Sequence, residues 1–274
     1  MTDLKFTLND YLPNSNRLLA IDLEWAKNWQ AVEKTVPFCF NMHAIHLPTP
    51  ELMCKCIESF KMESHSLFRD KHETTTEFLV RVDKLIASNA LDENTLVMGH
   101  QVSSDLHTMK QHSDVELGAV SMLIERLKSR KEQQTLFPGV FDTRYDIRSR
   151  IVGQEKLRDV SLRLGVYAIQ FELTKTLSMT KIYNQYVSSQ DANLMERLLI
   201  LNWRHAFQTT LVCLVDQFCP TLPCYSTKCK KRKLYTNDIM RKMASNKVSY
   251  VNEADYLFSI TKEGVDKYLN QYLL

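Results

Sequence analysis

The apolar residues of this chain repeat with two periods, and the alternation between them sets the order of elements. Residues 17–25, RLLAIDLEW, form a near-continuous apolar run bounded upstream by Asn14, Ser15 and Asn16, the pattern of a central strand. VPFCFNMHAIHLP, ending at Pro48, suits a second strand that pairs with the first across a long connection. In TTTEFLVRVDKLIAS, Phe78, Leu79, Val82, Leu85 and Ile86 recur at helical spacing, with Asp83 and Lys84 on the polar side. NTLVMGHQVSSDLHTMKQH reads as a short strand, a glycine-containing turn and a helix start with Ser103 or Ser104 as N-cap. GAVSMLIERLKSRK predicts a further helix, VFDTRYDI a short strand, KLRDVSLRLGV a helix ended by Gly165, and DANLMERLLILNWRHAFQTTLVCLVDQF a long helical stretch. Strands alternating with helices give an α/β fold class with a mixed sheet flanked by helices.

Composition adds limits. The chain has 274 residues, 44% of them hydrophobic, enough for one large domain with an appendage. No stretch has the form of an export signal, and no run of about 18 apolar residues occurs, so neither secretion nor a membrane span is expected. Seven cysteines without an export signal indicate reduced thiols and a cytoplasmic or nuclear location. The net charge of +3 is unevenly spread. Residues 219–274 carry ten Lys or Arg against five Asp or Glu, which leaves −2 for residues 1–218. The expected organisation is a domain over 1–218 followed by a small basic C-terminal extension over 219–274.

The polar positions inside the first strand carry the candidate chemistry. Asp22 and Glu24 are two apart, so a strand presents both carboxylates on one face and Leu23 on the other. With no basic neighbour in the stretch, such a pair raises one pKa or holds a cation. Hard Mg²⁺ or Mn²⁺ ions are bound by carboxylate oxygens, and two such ions can clamp the attacking and leaving oxygens of a phosphodiester. An Asp-x-Glu pair alone is also what solvated acids at a strand end look like.

IDLEW, followed about eighty residues later by LVMGHQVSSDL with Asp105 in the first helical turn, resembles the first two motifs of the DEDD superfamily of 3′ to 5′ exonucleases. The resemblance covers roughly residues 16–217 and implies a ribonuclease H-like fold, Mg²⁺ or Mn²⁺ at Asp22, Glu24 and Asp105, and His205 as the base that activates water. It also implies a single-stranded RNA or DNA substrate, with a slight preference for RNA; no membrane partner is expected, from the lack of a long apolar run. The third motif departs from the family. RHAFQTTLV has His205 in place, but Thr210 stands where the histidine subfamily has its last aspartate, and Asp216 lies too far along. A threonine hydroxyl is a poorer ligand for Mg²⁺ than a carboxylate, so weaker metal binding and an exonuclease of reduced activity fit the departure, and a non-catalytic nucleic-acid-binding or adaptor protein is the alternative. In the family the histidine sits in a loop or at a helix start; a break before His205 would favour its catalytic role.

Other features have several readings. Lys228, Lys230, Lys231, Arg232 and Lys233 in KCKKRK suit contact with a phosphate backbone, with Tyr225 and Tyr235 near for stacking. The same run suits a nuclear localisation signal or a solvated linker. Cys219, Cys224 and Cys229 invite a zinc reading but lack a fourth ligand by spacing. Cys54 and Cys56, like His43 and His46, suit packing roles. Arg144, Arg148 and Arg150 lie where they could meet a nucleic-acid strand, or form surface ion pairs. YLFSITKEGVDKYLNQYLL resembles the closing strand and helix of a winged-helix module.

Overall fold

The computed structural model describes residues 17–27, 35–46, 61–90, 95–133, 139–146, 156–163, 166–167, 178–218, 234–235 and 249–250. The lysine cluster at 228–233, Cys54, Cys56, Cys219, Cys224, Cys229, Arg148, Arg150 and the winged-helix-like stretch lie outside those residues.

Strand β1 (Arg17–Lys27) is central. On one side it pairs antiparallel with β2 (Thr35–His46), which pairs antiparallel with β3 (Lys61–Phe68). On its other side it pairs parallel with β4 (Thr95–Gly99), which pairs parallel with β5 (Val140–Asp142). The fold is therefore α/β, with a mixed sheet in the order β5-β4-β1-β2-β3. Two-residue strands complete the pairing: β6 (Val166–Tyr167) with β7 (Leu234–Tyr235), and β8 (Ser249–Tyr250) beside β3.

Both faces of this sheet are covered, which is why β1 reads as a nearly unbroken apolar run. Leu19, Ile21 and Leu23 face a layer built from α1 (Thr75–Ala90), α2 (Val102–Gln111) and α3 (Gly118–Gln133), where Phe78, Leu106 and Leu123 are fully buried. Each such side chain contributes about 1.5–3 kcal/mol on leaving water. On the opposite face, Ala26, Phe38 and Cys39 pack against α5 (Met179–Ser189) and α6 (Ala192–Phe218). A short α4 (Leu157–Arg163) meets α6 through Gln208, whose Nε2 donates to Ser161 Oγ at 2.7 Å.

The hairpin of the first two strands and the long last helix match the hydrophobic pattern. Strand β3 and helix α5 do not follow from it: MESHS interrupts β3 with polar residues, and α5 carries its apolar positions as Met179, Ile182 and Tyr186 among polar neighbours. The start of α2 also differs from expectation. Its N-cap is Gln101, in the left-handed region at φ 67°, with no side-chain cap; Ser103 and Ser104 lie inside the helix. The corner is held instead from β5: Asp142 Oδ1 accepts the Gln101 N–H at 2.9 Å, and the Thr143 N–H donates to Gly99 O at 2.9 Å.

Gly99 ends β4 at this corner, and a Cβ there would lie 2.7 Å from Val102 Cβ and 3.2 Å from Ile21 O. Neither atom is the free end of a side chain, so the corner must shift to admit a methyl group. Gly99→Ala should lower the unfolding free energy by about 1–3 kcal/mol, to be measured by urea denaturation.

Candidate functional site

The alternation of β1 brings its acids to the α6 face. Asp22 and Glu24 point toward α6 while Leu23 between them enters the opposite core. The register between β1 and β2 shifts at Glu24/Trp25, with Glu24 opposite Cys39 and Trp25 opposite Pro37. A proline lacks the ladder N–H, and bulges are where a sheet accepts one.

Helix α6 answers the two carboxylates with two donors three residues apart, on one helical face. Asn202 Nδ2 donates to Asp22 Oδ2 at 2.6 Å and approaches Asp22 O at 3.3 Å. His205 Nδ1 lies 2.6 Å from Glu24 Oε1 and 3.9 Å from Asp22 Oδ2. Asn202 is fully buried and its Oδ1 accepts the Cys39 S–H at 3.2 Å, which fixes the amide with its nitrogen toward Asp22. Asp105, in the first turn of α2, is 5% exposed and accepts the backbone N–H of Leu23. A cavity of about 230 Å³ opens between the end of β1 and the β4–α2 corner, lined by Asp22, Glu24 and Asp105 together with Trp25, His100, Gln101 and Ser104.

The electrostatics follow from crowding acids in a partly dry volume. Burial, then Glu24, push the Asp22 carboxyl up to about 7, against the lowering pull of His205 and Asn202. Asp105 is pushed up by burial, then by Asp22 and Glu24. Burial, followed by the same two acids, also raises the Cys39 thiol, so Cys39 stays protonated and serves as a donor.

The expected site residues Asp22, Glu24, Asp105 and His205 thus converge. Thr210 does not join them. It is buried, its Oγ1 donates to Ala206 O at 3.1 Å, and five residues past His205 places it about 140° round the helix. His205 itself sits in the middle of an unbroken 27-residue helix, not at a loop or helix start. His43 is a core residue: Nε2 lies 3.0 Å from Trp203 O, the ring meets Trp203 edge-on, and burial lowers its pKa to about 3. His46 lies at the end of β2. Arg144 stands on the turn after β5, where its backbone N–H donates to Asp142 Oδ1 and its guanidinium lies over Tyr145. Asn202, Cys39 and Asp142 were not singled out from sequence. Only Asn202 carried a signal, its position one helical turn before His205.

The donor set fits a divalent cation: the Asp22, Glu24 and His205 ligand atoms lie within 4.8 Å of one another, and their acids gain from a positive charge.

Two outcomes test this geometry. The unfolded Asp22 carboxyl titrates near 3.8 and the folded one near 7, so the folded state binds the proton more tightly between those values. Its contribution to stability is complete below pH 4 and is lost as pH rises to 7. In EDTA, Asp22→Asn should flatten that decline and be more stable than the native chain at pH 7.5, by up to about 4 kcal/mol, as read from chemical denaturation at both ends of the window. Thr210→Asp should place an unpaired carboxylate inside the α6 packing and cost about 3 kcal/mol of unfolding free energy, visible as a lower urea midpoint at pH 7. No helix among the described residues is long and apolar enough to cross a membrane. Comparison of the chain with protein-family models and with curated proteins finds no match.

Proposed function

We propose that this chain is a metal-dependent, 3′ to 5′ exonuclease-like protein on a ribonuclease H-like fold, acting on single-stranded nucleic acid with RNA preferred over DNA. The observation that carries the reading is the meeting of Asp22, Glu24 and Asp105 on one cavity at the end of the central strand, with His205 within ligand reach of Asp22 and Glu24. The mixed sheet with helices on both faces is compatible with that fold. The direction of cleavage and the RNA preference come from the resemblance of the IDLEW and LVMGHQVSSDL motifs.

Within this reading Asp22 and Glu24 are the residues that hold Mg²⁺ or Mn²⁺. Asn202 holds the Asp22 carboxylate in place by a hydrogen bond, and Asp105 lines the cavity. A bound divalent ion supplies Lewis acidity to the phosphodiester and lowers the pKa of a coordinated water. Lys228, Lys230, Lys231, Arg232 and Lys233 are assigned to the phosphate backbone. A second reading, a nucleic-acid-binding or adaptor protein without catalysis, is favoured by the inward-facing Thr210 and by the position of His205 within a continuous helix.

End-labelled single-stranded RNA and DNA, incubated with Mn²⁺, Mg²⁺ or EDTA, separate the two. Shortening from the 3′ end that needs metal and disappears in Asp22→Ala, Glu24→Ala supports the enzyme. Intact substrate in both metals at stoichiometric protein, with binding that survives EDTA and weakens with salt, supports the binding protein instead.

A further inference from the structure

We infer that the site is built for one divalent ion, with His205 Nδ1 as its third protein ligand beside Asp22 and Glu24, and that it selects a transition metal such as Zn²⁺, Co²⁺ or Mn²⁺ over Mg²⁺. The inference rests on the reading of this cluster as a cation site, but not on hydrolysis.

Three observations lead there. First, the donor atoms are close to ligand spacing, with the His205–Glu24 pair at hydrogen-bond distance. Oxygen and nitrogen ligands at about 2.0–2.2 Å from an ion stand about 3–4 Å apart. His205 Nδ1 is 2.6 Å from Glu24 Oε1 and 3.9 Å from Asp22 Oδ2, so shifts of a few tenths of an ångström admit the ion. Second, the supports of a ligand set are present. Asp22 is oriented by the fully buried Asn202, itself fixed by Cys39, and His205 and Asn202 share one face of an unbroken helix. Outer partners of this kind hold metal ligands in place. Third, the means to hold a second ion are reduced. Thr210 donates into its own helix, the donor grouping does not extend to Asp105, and the Asp105 carboxylate is engaged with the Leu23 amide.

The presence of an imidazole decides the metal. Mg²⁺ takes oxygen ligands and keeps most of its water, whereas imidazole together with carboxylates suits Zn²⁺, Co²⁺ or Mn²⁺. His205 then acts as a ligand and not as the base expected from the exonuclease resemblance. The competing account is a plain hydrogen bond between His205 and Glu24 with no metal role.

Isothermal titration of the full chain with ZnCl₂, MnCl₂ and MgCl₂, with Co²⁺ absorption spectra alongside, tests the assignment in the native protein, His205→Gln and Glu24→Gln. The expected result is one ion per chain and Zn²⁺ bound at least about tenfold more tightly than Mg²⁺. His205→Gln should lose about tenfold or more of the Zn²⁺ affinity with little change for Mg²⁺, and should shift the Co²⁺ spectrum. Unfolding curves confirm that each variant is folded, and Glu24→Gln supplies a second ligand test if His205→Gln is not. Two ions per chain, equal affinity for Mg²⁺ and Zn²⁺, or Zn²⁺ affinity indifferent to His205→Gln would each overturn the inference. Two Mg²⁺ ions with 3′ shortening of RNA would overturn it while leaving the exonuclease reading intact. One Zn²⁺ lost with His205 and no nucleolytic activity would do the reverse.

Discussion

Like charges gathered where water is scarce repel one another, and the arrangement around β1 is organised by that repulsion. Asp22, Glu24 and Asp105 meet at the end of a strand whose neighbours are otherwise apolar, and burial, reinforced by the neighbouring acids, raises two of the three carboxyls. Helix α6 offsets part of the cost with Asn202 and His205, while the backbone of β1 offsets another part by donating the Leu23 N–H to Asp105. Apolar side chains at 202 and 205 would leave Asp22 and Glu24 without these partners. Placing an amide and an imidazole there makes α6 a hydrogen-bonding partner of the acids as well as a layer of the core.

The main elements were legible because each obeys one simple period. LLAI before Asp22, the spacing of Phe78 through Ile86 and the long run after Asp191 admit few other readings. β3 escaped because His65 and Ser64, although buried, are polar, so the strand hides its burial from a hydrophobicity pattern. The Gln101 cap escaped for a different reason: its left-handed backbone is supported by Asp142, forty-one residues away, and local capping preference does not register such a partner.

The candidate site divides in the same way. Asp22 and Glu24 are legible because strand geometry puts residues two apart on one face, and Asp105 and His205 through the resemblance. What Thr210 does is a matter of rotation about a helix axis, and it depends on whether α6 is continuous through His205. Because it is, the same hydroxyl that looks like a degraded ligand in the sequence is an ordinary helix-internal donor in the fold. The Cys39, Asn202 and Asp22 chain of hydrogen bonds joins three elements and has no short-range signature at all.

β1 outruns its parallel neighbour. Pairing with β4 spans Arg17 to Ala20, while the strand continues to Lys27 alongside β2. From Ile21 onward one edge of the central strand has no ladder partner from β4, and unpaired strand edges are open to addition by foreign backbone. Asp105 closes the first part of that edge by taking the Leu23 amide. The acid is therefore a stopper for the sheet as well as a wall of the cavity, and truncating it would uncover a backbone donor. The gap in the sheet and the place where the cavity opens are one feature: the fold leaves room beside its central strand by ending a neighbour early, and seals the exposed backbone with a carboxyl group that also lines the cleft.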